Sequence, residues 1–85
     1  MTTEISLEAL VAGDRAEIAR LVDTYSSPIY RLGLRMLGNP QDAEDATQEI
    51  LIKLVTKLST FRGESQFRTW LYRLVVNHLL NLKRA

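Results

Sequence analysis

Residues 39–58 read NPQDAEDATQEILIKLVTKL, and this stretch decides the fold. Asn39 ahead of Pro40 is a helix start. The Asn side-chain oxygen takes an orphan N–H of the first turn, and a proline at the first helical position lacks only a donor that has no partner there. At about 100° per residue, Ala43, Ala46, Ile50, Leu54 and Leu58 gather on one side as a core face. Asp45, Gln48, Glu49, Ile52 and Thr56 gather opposite them. The acids Asp42, Glu44 and Asp45 have a structural explanation in the positive end of the helix dipole. Glu49 and Lys53 are spaced for an ordinary ion pair along the helix, worth roughly 0.2–0.5 kcal/mol. Ile52 has no such explanation, and an aliphatic residue in the middle of a polar stripe is a weak sign of a partner surface.

The flanking sequence is also helical, with no sustained period-two alternation. Ser6 caps a short first helix to about Ala12, which Gly13 ends. Asp14, with Glu17 three residues on, begins a second helix in a capping-box pattern. Ile18, Leu21, Val22, Tyr25, Ile29, Leu32 and Met36 form its apolar stripe, Pro28 is expected to kink or interrupt it, and Gly38 stops it. After about Leu58, a loop from Ser59 to Glu64 carries Gly63, suited to a tight turn. Ser65 caps a last helix whose Lys83 and Arg84 suit the negative end of its dipole. The expected fold is all-α, a small bundle of about four helices in one domain covering residues 1–85.

Composition narrows the function classes. Of the 85 residues 46% are apolar, as in ordinary globular domains, and no Cys and a single His leave no thiolate or zinc framework. No apolar run approaches the roughly 20 residues of a membrane span, and the amino terminus lacks the apolar segment of a signal peptide, so the expected location is cytoplasmic. No HExxH, Walker loop, nucleophile elbow or paired acid in an apolar pocket appears, so neither catalysis nor a cofactor is expected. The formal net charge of +1 conceals an asymmetry: residues 1–49 balance to −5 and residues 50–85 to +6. Two solvated faces of opposite sign would account for it, and so would an acidic surface for a basic protein with a basic surface for phosphates.

The last helix sharpens that choice. Phe67, Leu71, Leu74, Val75, His78 and Leu82 share one side as a core face, with His78 a core or boundary residue rather than a ligand. A neighbouring stripe holds Trp70, Arg73, Asn77, Asn81 and Arg84. Arginine neutralises phosphate, asparagine offers a donor and an acceptor to a base edge, and aromatic rings stack on unpaired bases. The adjoining loop adds Phe61, Arg62 and Gly63, followed by Arg68. This chemistry suits nucleic acid. The competing reading is that Phe61, Phe67 and Trp70 are simply core.

Taken together, the segments Asn39-Pro40-Gln41-Asp42-Ala43-Glu44-Asp45-Ala46-Thr47-Gln48-Glu49 and Phe61-Arg62-Gly63-Glu64-Ser65-Gln66-Phe67-Arg68-Thr69-Trp70-Leu71-Tyr72-Arg73-Leu74, followed by Asn77, resemble region 2 of the sigma-70 family in its extracytoplasmic-function branch. Tyr30-Arg31-Leu32 through Leu37-Gly38 also resembles the family's region 2.1, so the likeness covers essentially the whole chain. The resemblance implies that Asp45, Gln48 and Glu49 bind the β′ clamp helices of RNA polymerase core, with Ile52 on the same face. It implies that Phe61, Arg62, Gly63, Glu64 and Ser65 capture a base flipped from the non-template strand of the promoter minus-ten element. Asn77 and Asn81 would contact promoter bases, while Arg73, Lys83 and Arg84 would hold phosphates. Melting would then be differential binding, with capture of the open strand offsetting an unstacking cost of roughly a few kcal/mol.

The chain departs from the family pattern at Ala46, Thr47 and Val55, where larger side chains are frequent, and at His78, an unusual neighbour for Asn77. A full member would continue into region 4, which reads the minus-35 element. No such sequence follows Ala85, and an excised domain is the favoured reading. Alone, such a domain is expected to bind duplex DNA weakly and with steep salt dependence. Two alternatives stand beside this one. A helical interaction module serving mainly as an anti-sigma target would bind partners without preferring single-stranded promoter sequence. A helix-turn-helix repressor would bind duplex half-sites as a dimer, but the loop from Ser59 to Glu64 is longer than its usual turn.

Overall fold

The computed structural model describes Leu10, residues 12–63 and residues 65–84. Three α-helices are joined in sequence: α1 (Arg15–Leu37), α2 (Pro40–Lys57) and α3 (Phe67–Arg84), with a single 3-10 turn at Leu58–Thr60 after α2. The described part is therefore an all-α bundle of three helices. The helix expected from Ser6 lies outside the described residues, apart from buried Leu10, whose carbonyl accepts the Gly13 N–H at 3.0 Å.

Local sequence accounts for most helix ends. The Glu17 N–H donates to Asp14 Oδ1 at 3.1 Å, and the Asp42 N–H to Asn39 Oδ1 at 3.0 Å, so both expected caps form. Gly38 closes α1 in the left-handed conformation at φ 71, its N–H bonded to the Leu34 carbonyl. Two expectations are corrected. Of the kink or interruption expected at Pro28, the interruption is absent: α1 runs through it as one helix of 23 residues. Thr24 and Pro28 are both exposed, so the carbonyl that Pro28 leaves without a donor can be hydrated, while Leu21 and Ile29 hold the helix to the core on either side. The last helix begins one residue later than its expected cap: the Trp70 N–H bonds to the Gln66 carbonyl, which puts Gln66 rather than Ser65 at the cap position.

The core is set by α2. Ala43, Ala46, Ile50, Leu54 and Leu58, the expected face, are all buried. They meet Leu21 and Ile29 from α1, and Leu71, Val75 and Leu79 from α3. Thr47 is buried as well, and its hydroxyl is satisfied by the Ala43 carbonyl at 2.7 Å. The core face of α3 is rotated from expectation. It is centred on Leu71, Val75 and fully buried Leu79, whereas Leu82 is 38% exposed and Phe67, Leu74 and His78 sit at its edge. The amphipathic stripe was centred too near Phe67, whose ring is occupied by other aromatics.

Gly33 packs α1 against the other two helices: a Cβ built there lies 3.6 Å from Ala43 Cβ and 3.6 Å from Leu79 Cδ2. That is ordinary contact for a methyl group, with no room for more. Gly33→Ala is therefore expected to hold or raise thermal stability, since alanine gains up to ~1 kcal/mol in a helix. Gly33→Leu is expected to lose ~1–3 kcal/mol by overpacking, both read by denaturant melts.

Candidate functional site

Two exposed faces carry the candidate residues. On α2, Asp45, Gln48, Glu49 and Ile52 are all solvent-exposed, Ile52 at 68%. They follow from the helix that Asn39 starts and from the inward pull of the Ala43-to-Leu58 stripe, which leaves the opposite residues no other place. Glu49 does not form the expected ion pair with Lys53. Its Oε1 instead lies 3.0 Å from His78 Nε2 on α3, and Lys53 Nζ lies 3.5 Å from His78 Nδ1. A cleft of about 320 Å³ brings Asp42, Asp45 and Glu49 together with Leu37 and Leu82. Asp42 and Leu82 were not expected beside Asp45 and Glu49, because one was explained by the helix dipole and the other was assigned to the core.

On α3, Arg73, Asn77, Asn81 and Arg84 are exposed and Trp70 is half-buried. At about 100° per residue these five share the side turned away from Leu71, Val75 and Leu79. Lys83 is exposed on another side of the last turn, next to Arg84 in sequence. Arg68 is exposed but belongs elsewhere. It lines a groove of about 410 Å³ between α1 and α3, with Arg31, Arg35 and Tyr72 at the rim and Ile29, Leu71 and Val75 in the floor. The groove was not foreseen; two arginines one turn apart on α1, at positions 31 and 35, were the available signal.

The loop before α3 is pinned by aromatic packing. Phe61, Phe67 and Trp70 form a triad with ring centroids 5.4 to 5.6 Å apart, Phe61 standing edge-on to Phe67 at 87°. Phe67 and Trp70 also pack against the core, so the core reading holds for part of each ring. The consequence for the loop is positional: Arg62 and Gly63 are exposed on a turn anchored to the first turn of α3, with Gly63 at φ 75 and Ser65 half-buried. Glu64 lies outside the described residues.

Among the described residues no three His, Cys, Asp or Glu side chains come together to hold a metal, and no helix is long and apolar enough to cross a membrane. Fold and faces together define a small helical domain with an acidic and a basic exposed surface on separate helices. The family model described as Sigma-70 region 2 matches residues 21–85. Over 65 residues, 76% of this chain and 35% of the relative, the chain is 43% identical to the ECF RNA polymerase sigma factor SigW of Bacillus subtilis. It is 39% identical to the RNA polymerase sigma-H factor of Pseudomonas aeruginosa over 88% of this chain and 39% of that protein. With the ECF RNA polymerase sigma-E factor of Escherichia coli K12 it shares 36% identity over 95% of this chain and 42% of the relative. The chain belongs to the sigma-70 region 2 family, in its extracytoplasmic-function branch. It spans about two fifths of the length of these relatives. Sigma factors are regulatory proteins and not enzymes.

The triad yields a direct test. Phe61→Ala removes two of its three ring contacts, and aromatic pairs contribute roughly 0.5–1.5 kcal/mol beyond burial. The variant is expected to lose about 1–3 kcal/mol of stability and to red-shift the emission of Trp70, the chain's single tryptophan. An unchanged spectrum would show that Phe61 does not cover the indole.

Proposed function

We propose that this domain acts in bacterial transcription initiation, joining RNA polymerase core through α2 and recognising and melting the promoter minus-ten element through α3 and the loop before it. The observation that carries this reading is the separation of two exposed chemistries on one small bundle. Asp45, Gln48, Glu49 and Ile52 present carboxylate, amide and aliphatic groups on α2, while Arg73, Asn77, Asn81 and Arg84 present guanidinium and amide groups on α3. The α2 set suits a basic helical partner such as the β′ clamp helices: Asp45 and Glu49 accept its cations, Gln48 hydrogen-bonds, and Ile52 is covered.

The α3 set suits the non-template strand. Asn77 and Asn81 offer paired donor and acceptor groups to base edges, and Arg73, Lys83 and Arg84 neutralise phosphates. Phe61, Arg62, Gly63 and Ser65, at the head of α3 beside the aromatic triad, are the residues we assign to capture of a flipped base, together with Glu64 from the sequence pattern and with Trp70 as a neighbouring aromatic face. Capture of that base stabilises the open strand over the duplex, so binding energy alone drives melting and no bond is made or broken. Arg68, in the α1–α3 groove, contributes positive potential rather than a contact on the Asn77 side.

Binding to a β′ clamp-helix fragment, compared between wild type, Gln48→Ala and Glu49→Lys, tests the first surface. Gln48→Ala is expected to weaken binding roughly two- to tenfold by removing one neutral hydrogen-bonding group, and Glu49→Lys at least tenfold by setting a cation against a basic partner, both with helicity retained. Arg73→Ala and Lys83→Ala are expected to weaken single-strand promoter binding and leave clamp-helix binding intact; equal loss of both activities would refute two separate surfaces. A well-folded wild type that binds no clamp helix would favour an interaction module aimed at an anti-sigma factor.

A further inference from the structure

His78 joins the two faces. Its Nε2 lies 3.0 Å from Glu49 Oε1, a full hydrogen bond, and its Nδ1 lies 3.5 Å from Lys53 Nζ, at the outer limit of one. Glu49 and Lys53 stand one turn apart on α2, so a single imidazole from α3 spans the gap they do not close themselves. The chemistry of the three groups selects one state of the ring. A carboxylate only accepts and an ammonium only donates. Nε2 therefore carries a proton toward Glu49, and the ammonium of Lys53 disfavours a second proton on Nδ1. The His78 side chain is 15% exposed and that of Glu49 57% exposed, so the bond is sheltered on the imidazole side while the carboxylate stays open to solvent.

We infer that His78 is a positioning residue for Glu49: its Nε2–H fixes the Glu49 carboxylate to α3 through Oε1 and leaves Oε2 to accept a partner's cation. This rests on the reading of Glu49 as a polymerase contact. A glutamate on a helix surface samples several rotamers, and ordering it on binding costs entropy. A bond made beforehand by His78 removes part of that cost. It also ties the α2 face to the residue next to Asn77, so that the orientation of the helix facing promoter bases is referenced to the carboxylate facing polymerase.

The experiment has two arms. In the first, long-range ¹⁵N–¹H correlation spectra of the imidazole at alkaline pH report the tautomer of the free domain. The Nε2–H form is expected, with a Glu49→Gln substitution shifting the Nε2 resonance; an Nδ1–H form overturns the inference whatever Glu49 does with polymerase. In the second, clamp-helix binding is measured for wild type, His78→Phe, Glu49→Gln, Glu49→Ala and the His78→Phe/Glu49→Ala double variant. His78→Phe keeps a planar ring in place and is expected to weaken binding roughly two- to tenfold, the loss of one hydrogen bond. That loss should vanish in the Glu49→Ala background, where no acceptor remains for the ring N–H, and His78→Gln, which restores a donor, should recover most of it with Glu49 in place. Equal losses in both backgrounds, or thermal destabilisation by His78→Phe with unchanged affinity, would make His78 a structural tether only. If Glu49→Gln itself binds the clamp helices as wild type does while the tautomer is Nε2–H, the polymerase reading of Glu49 fails and the positioning role falls with it, the hydrogen bond remaining.

Discussion

Everything on the surface of this domain depends on the close approach of α1, α2 and α3 at Gly33. With no side chain at that position, α1 lies against Ala43 of α2 and Leu79 of α3, where even a methyl group would be in contact at 3.6 Å. Small residues at 33 and 43 set how near the first two helices come, and Leu79, buried without remainder, sets the rotation of the third. Once that rotation is fixed, Arg73, Asn77, Asn81 and Arg84 have to face solvent. Once α2 is seated by Ala43, Ala46, Ile50 and Leu54, Asp45, Gln48, Glu49 and Ile52 have to face solvent too.

The division of charge along the chain thereby becomes a division in space. Four carboxylates, Asp42, Glu44, Asp45 and Glu49, lie on α2, while the loop and α3 carry Arg62, Arg68, Arg73, Lys83 and Arg84 and no described acid; α1 adds four arginines of its own. Such an arrangement costs little stability, because most of the charges stay hydrated and Glu17, the most sheltered carboxylate in an ion pair, has Arg20 beside it. It also lets one face meet a basic protein while the other meets phosphates, with no like-charge conflict between the two partners. Where the faces come nearest, Glu49, His78 and Lys53 make the seam, and the imidazole of His78 stands between a carboxylate and an ammonium.

Much of this was legible in the sequence, and the exceptions have physical causes. The whole core face of α2 and the caps at Asp14 and Asn39 follow from local chemistry and periodicity. The sequence also carried the family likeness, which the match over residues 21–85 bears out. The rotation of α3 was not legible, because Phe67 counts as apolar in any stripe yet spends its ring on Phe61 and Trp70, while Leu79 carries the core. Pro28 looked disruptive because its cost depends on burial, and it lies on the wet side of α1. Glu49 was paired with Lys53 because helical spacing shows only partners on the same helix; its bond to His78 crosses 29 positions of sequence. The groove holding Arg31, Arg35 and Arg68 joins two helices far apart in sequence and was invisible for the same reason.

The claim that two partners use two faces at once is tested most directly by backbone amide shift mapping of the domain with the clamp-helix fragment and a single-stranded minus-ten oligonucleotide, separately and together. The account predicts that the fragment perturbs residues around Gln48, Glu49 and Ile52, and that the oligonucleotide perturbs the loop from Phe61 and the stripe from Arg73 to Arg84. With both present, the two sets of shifts should add. Mutual displacement, or a shared set of perturbed residues, would contradict it.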